Sequence, residues 1–165
     1  MNLSPRARLT TWCAVALPVF VLDQFTKDLA LRHLTVGVPV HVIGTMQWNL
    51  VFNSGMAFSK GRGLGPVIAV AVVAVVVSIA ASLRRSTTVV SAVIVGLIIG
   101  GALGNLTDRL FRSGSGFLGG HVVDFIDVQF WPVWNVADMA VVVGMLLLAY
   151  EWLRHPRTAA VPGDV

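Results

Sequence analysis

The sequence predicts an all-α membrane protein with four transmembrane helices, N-in/C-in, and a small extracytoplasmic β-structured cap between the first two helices. Three observations predict it. Hydrophobic residues make up 56% of the 165 positions and charged residues 12%, about half the charged share of a soluble domain. With a mean hydropathy of +0.80, a soluble domain of this size has too little interior for so much apolar surface. Finally, stretches near the length needed to cross a bilayer core, about 20 residues, recur four times. The whole chain, 1–165, reads as a single integral membrane domain.

The first span, 11–34, is the weakest on hydropathy because Asp23, Lys27 and Asp28 interrupt it. A cleaved signal peptide would also begin with basic residues and an apolar run, but this run ends in DQFTKD and not in small residues. The segment 35–65 carries β-branched and aromatic runs broken by Gly, Pro and Asn, which predicts short strands and turns in an outer cap. The second span, 66–83, contains no charge. The third, 88–110, and the fourth, 133–153, are apolar with polar residues gathered at one end. Between them lies an outer loop, 111–132, opening with SGSGFLGG and running into HVVDFIDVQFWP. Trp48, Trp131 and Trp134 suit an interfacial aromatic belt.

Orientation follows from the basic residues. Arg6, Arg8, Arg84, Arg85, Arg154 and Arg157 fall in the short inner segments, whereas the longer outer segments hold Lys60, Arg62 and Arg112. That asymmetry places both termini in the cytoplasm. The net charge of +4 does not imply nucleic acid, because the basic residues are scattered and no finger or RNA-binding motif is present. A lone cysteine, Cys13, offers no intrachain disulfide or thiolate cluster, and the four histidines lack ligand spacing. Neither a metal nor a cofactor is expected.

Ionisable groups within a span are costly, so each needs a reason. Asp23 and Lys27 are four apart on one face of the first span. Asn105, Asp108 and Arg109 gather on the third, Asn135 and Asp138 at the start of the fourth. At 1.5 Å per residue, Asp23, Asn105 and Asp138 lie roughly 18, 25 and 22 Å above the inner ends of their spans. All fall in the outer third of the bilayer, as one shared site requires. Plainer readings compete. Asp23–Lys27 can be an intrahelical ion pair, Asp108 and Arg109 an interfacial charge pair with Arg109 snorkelling outward, and Asn53 a turn residue ahead of Gly55. Gly96, Gly100, Gly101 and Gly104 favour close helix packing.

Asp124 and Asp138 resist such readings, because each is flanked by apolar residues with no adjacent base. Two carboxylates in a low-dielectric pocket cannot both ionise cheaply, so they share a proton and offer one base and one acid. Asp127 competes for the role of Asp124. A Cys–His or Ser-based mechanism fails for want of a base within reach, and no phosphate loop follows a strand. A transporter or proton relay would instead spread its carboxylates through the membrane depth. A prepilin-type aspartic peptidase would show GxGD, which is absent. A pure scaffold leaves both aspartates unexplained.

Five stretches, DQFTK at 23–27, NSGMAF at 53–58, GGALGNLTDR at 100–109, VVDF at 122–125 and NVAD at 135–138, occur in order. Over roughly residues 15 to 153 the chain resembles the bacterial lipoprotein signal peptidases, the signal peptidase II family. Trp134 stands where that family usually has Phe, and the tail beyond Arg154 matches no part of its pattern. The resemblance implies a multi-pass aspartic endopeptidase of the bacterial inner membrane with its site toward the extracytoplasmic face. It would act among membrane lipids on diacylglyceryl-modified prolipoproteins, cleaving before the lipid-modified Cys, with the cyclic depsipeptide globomycin as an expected inhibitor. Carried over by position, Asp124 and Asp138 are the catalytic pair. Asn53, Gly55, Asn105, Asp108, Arg109 and Asn135 bind substrate or support the aspartates, and Asp23 and Lys27 act structurally behind them.

Overall fold

A computed structural model describes residues 3–55, 65–83, 88–114 and 118–154. Four helices run through it: α1 (Pro5–His33), α2 (Gly65–Leu83), α3 (Val89–Phe111) and α4 (Val136–Arg154). Strands β1 (Val40–Ile43), β2 (Met46–Asn53) and β3 (Val122–Asp127) form one antiparallel sheet in the order β1-β2-β3. Among the described residues α1, α3 and α4 are long and apolar enough to cross a membrane, and α2 is apolar over Val70–Leu83.

Local chemistry sets the helix ends. The Ser4 hydroxyl accepts from the Ala7 N–H at 3.2 Å, and Pro5 occupies a first-turn position where a missing N–H leaves nothing unpaired. This carries α1 six residues earlier than hydropathy suggests, because a capped first turn need not be apolar. Thr88 caps α3 in the same way, accepting from the Ser91 N–H at 3.1 Å. Outward faces remain apolar, with Leu17, Val77 and Leu146 all exposed, as suits helices whose surroundings are hydrocarbon.

The central element is α3, which packs against the other three helices. Its glycines make the approach possible. A Cβ on Gly100 would sit 2.7 Å from the Ala16 carbonyl oxygen of α1, and one on Gly101 would collide with the Ala137 carbonyl of α4. Gly101→Ala is therefore expected to destabilise the fold by about 1–3 kcal/mol, read as a lowered midpoint of thermal unfolding in detergent. An unchanged midpoint would mean that α4 does not lie this close.

The sheet is larger than the sequence suggests. Segment 35–65 supplies β1 and β2, as expected, although 56–64 lie outside the described residues. The third strand comes from 111–132, which had read as loop. β3 is buried along nearly its whole length, on both faces, so VVDFID shows no polar alternation to betray a strand. A small core of Ala30, Leu50, Val123 and Phe125 fastens the sheet to the end of α1. The Phe125 and Ile126 N–H groups donate to the Trp134 carbonyl at 3.0 and 2.9 Å, and the Trp134 N–H returns to Ile126 at 3.0 Å. Strand β3 thus delivers the chain directly to the start of α4.

Candidate active site

At the start of α4, Asn135 and Asp138 cap each other. The Asn135 Oδ1 accepts from the Asp138 N–H at 3.0 Å while the Asp138 Oδ2 accepts from the Asn135 N–H at 3.3 Å, a capping box with Asn and Asp in its two positions. From the next helix, Asn105 Nδ2 donates to Asp138 Oδ1 at 2.7 Å. Both carboxylate oxygens of Asp138 are therefore held by donors.

Asp124, at the middle of β3, is 1% exposed. Asn135 Nδ2 donates to its Oδ1 at 2.6 Å, and Asn53 Nδ2 to its Oδ2 at 2.8 Å. Asn53 is aimed by its own turn, since its Oδ1 accepts from the Gly55 N–H at 2.9 Å and Gly55 adopts φ 92°, the left-handed region. Asn53 thus both builds the turn ahead of Gly55 and reaches Asp124. Asn135 thus stands between the two aspartates, its amide nitrogen on one and its backbone and amide oxygen on the other.

Burial pushes the Asp124 carboxyl up to about 7, and the nearby Asp138 charge pushes in the same direction. The Asn53 and Asn135 donors and the Lys27 charge oppose the rise. Asn53→Ala removes a donor that favours the carboxylate, so the Asp124 titration moves to still higher pH. Any pH profile that falls as Asp124 ionises should shift its alkaline limb upward in that variant; a limb moving downward would contradict the contact.

Behind the aspartates lies an ionic cluster whose centre, Lys27, Asp23 and Asp108, is wholly buried. Lys27 Nζ donates to Asp23 Oδ2 at 2.8 Å, Asp108 Oδ2 at 2.9 Å and Asn105 Oδ1 at 2.8 Å. Asp23 Oδ1 accepts from the Ala137 N–H of α4 at 2.9 Å, and Asp108 Oδ2 from the Val123 N–H of β3 at 3.1 Å. Arg112 Nε closes the cluster on Asp108 Oδ1 at 2.6 Å, with Gln24 Nε2 donating to Asp23 Oδ2 at 3.1 Å. Sequence reasoning passed over Arg112 and Gln24. The i,i+4 spacing of Asp108 and Arg112 was the signal for the first; nothing marked the second.

A cavity of about 280 Å³ opens beside Asp138, bordered by Asn53, Asn105 and Arg109 and otherwise mostly by aliphatic side chains of α2, α3 and α4. The expected Asp108–Arg109 pair is not what forms, because Asp108 turns to Lys27 and Arg112. Arg109 does not snorkel either. It is 7% exposed, reaches the Gly120 carbonyl at 3.4 Å and lies in the field of Asp124, Asp108 and Asp138. Asp127 is separated in role from Asp124: it accepts from Gln47 at 2.7 Å, Asn49 at 2.9 Å and the Gln129 N–H at 2.7 Å, closing the far end of the sheet. Burial works against its charge, but these donors outweigh it and hold the carboxyl below the usual range. Met56 to Phe58, Lys60, Arg62, Arg84, Arg85 and Arg157 lie outside the described residues.

Residues 15–154 match the family described as Signal peptidase (SPase) II. The chain belongs to that family. Among curated relatives, the lipoprotein signal peptidase of Mycolicibacterium smegmatis is 50% identical over 145 residues, 87% of this chain and 61% of that protein. This chain thus spans less than two thirds of that relative. The lipoprotein signal peptidase of Mycobacterium avium is 49% identical over 145 residues, covering 87% of this chain and 79% of its own length. That of Mycobacterium tuberculosis is 47% identical over 146 residues, 88% and 72% respectively. A solved structure of a bacterial membrane enzyme, determined by the in meso method at 2.3 Å, superposes with a TM-score of 0.75 at 23% identity, covering 94% of each chain. Another, at 1.9 Å, gives 0.74 at 25% identity over 88% of this chain and 94% of its own.

Proposed function

We propose that this chain is an aspartic endopeptidase of the bacterial inner membrane that removes the signal peptide from diacylglyceryl-modified prolipoproteins, cutting before the lipid-modified Cys. One observation carries the reading: Asn135 ties two aspartates from consecutive elements, Asp124 of β3 and Asp138 of α4, into one hydrogen-bonded group beside an apolar-walled cavity. All four helices cross the bilayer with both termini inside, which sets this group toward the extracytoplasmic face. A substrate anchored by acyl chains and an apolar helix arrives already concentrated and oriented at that depth, so the membrane supplies proximity.

Asp138, which borders the cavity, takes a proton from water as the water oxygen attacks the scissile carbonyl carbon. Asp124, whose carboxyl holds its proton up to about pH 7, gives it to the departing amine as the C–N bond breaks. A proton passing from Asp138 to Asp124 restores the pair. Asn53, Asn105, Asn135 and Arg109 hold the aspartates and the substrate backbone, and globomycin is expected to compete for the same cavity. The test is incubation of the purified protein with diacylglyceryl-modified prolipoprotein. A size shift is expected with the modified substrate; none, beside a working positive control, would overturn the reading.

A further inference from the structure

We propose that Lys27 is a positioning residue that fixes the orientation of the Asn105 carboxamide and, through it, the placement of Asp138; the role rests on the endopeptidase reading above. An ammonium has three N–H donors, and here each has an acceptor: Asp23 Oδ2, Asp108 Oδ2 and Asn105 Oδ1. Asn105 Oδ1 also accepts from Asn135 Nδ2 at 3.1 Å. Two donors therefore converge on one end of the Asn105 amide. Its other end faces Asp138 Oδ1 at 2.7 Å.

Flipping the amide would set an NH₂ group against the Lys27 ammonium and an oxygen against the Asp138 carboxylate. Both contacts repel, and Lys27 is wholly buried, so no water relieves them. A single orientation survives, and it is the one that donates to Asp138. The two carboxylates on Lys27 extend its reach. Asp23 holds the N-terminal turn of α4 through Ala137, and Asp108 holds β3 through Val123, one residue before Asp124. A side chain on α1 thus registers the three elements that carry Asn105, Asp124 and Asp138 without touching either aspartate of the proposed pair.

The test compares wild type, Lys27→Met/Asp108→Asn, Asn105→Asp and the combination of all three, measuring kcat and KM on diacylglyceryl-modified prolipoprotein and thermal unfolding of each. The double substitution removes one cation and one anion, so the buried cluster stays neutral. It is expected to fold and to lose about 10- to 100-fold in kcat at little-changed KM, as misplacement of a reacting group does. Asn105→Asp keeps an acceptor for Lys27 but offers no donor to Asp138, and should lose a similar factor. The combined variant should lose no more than the worse of the two, because Lys27 acts through Asn105. A folded double variant keeping more than half of the wild-type kcat, or losses that multiply in full, would overturn the role. If the double variant does not fold, Asn105→Asp decides, and wild-type kcat there overturns it. A wild type that leaves the substrate uncut sinks the endopeptidase reading and this role together; cutting by wild type and undiminished cutting by folded variants sinks this role alone.

Discussion

Asp124→Asn and Asp138→Asn are each expected to stop the proposed prolipoprotein cleavage, with a loss of about 10²- to 10⁴-fold or more, while the protein stays folded and inserted. Neither change alters volume much, but each replaces an oxygen with an NH₂ group. Asp124 accepts from Asn53 and Asn135, and Asp138 from Asn105 and the Asn135 backbone, so one donor per site loses its acceptor. That should cost about 1–3 kcal/mol of stability, too little to unfold the chain. Single-turnover cleavage beside a thermal melt separates the two effects. Processing by either folded variant at more than a tenth of the wild-type rate would remove the pair from the chemistry.

The largest loss of stability should come from Asp108→Ala. One carboxylate serves Lys27, Arg112, Gln24 and the Val123 N–H, and it is wholly buried. Removing it leaves the Lys27 ammonium short of one acceptor in a site that water does not reach, and breaking a buried pair from one side costs about 3–5 kcal/mol. The melting midpoint in detergent should fall sharply, and β3 should loosen first because its N–H partner is gone. A midpoint within a degree or two of wild type would show that the cluster is already solvated.

Much of this architecture is legible in the sequence. Hydropathy placed four helices, and helical rise put Asp23, Asn105 and Asp138 at similar depth; the structure joins them through Lys27 and Ala137. Three features were hidden for physical reasons. β3 lacks alternation because both its faces are covered. Asp108 and Arg109 look paired on paper, yet adjacent helical residues diverge, and Asp108 meets the residue four positions on. Asp124 and Asp127 compete only while VVDFID is taken for a loop. On a strand, residues an odd number apart point to opposite faces, and the register shift in β2 between Trp48 and Val51 brings Asn53 to Asp124 while Gln47 stays with Asp127.

The cavity beside Asp138 has a wall made largely of one residue type: Val72, Val73, Val122, Val141 and Val142. A β-branched side chain has few rotamers to offer, so such a wall does not reshape itself around a guest as a methionine surface would. Its width is a property of backbone spacing. Discrimination between slender and bulky occupants is then a matter of how far two helices stand apart, and a single Val→Ala or Val→Ile change on that wall amounts to opening a calibrated aperture by two carbons or closing it by one.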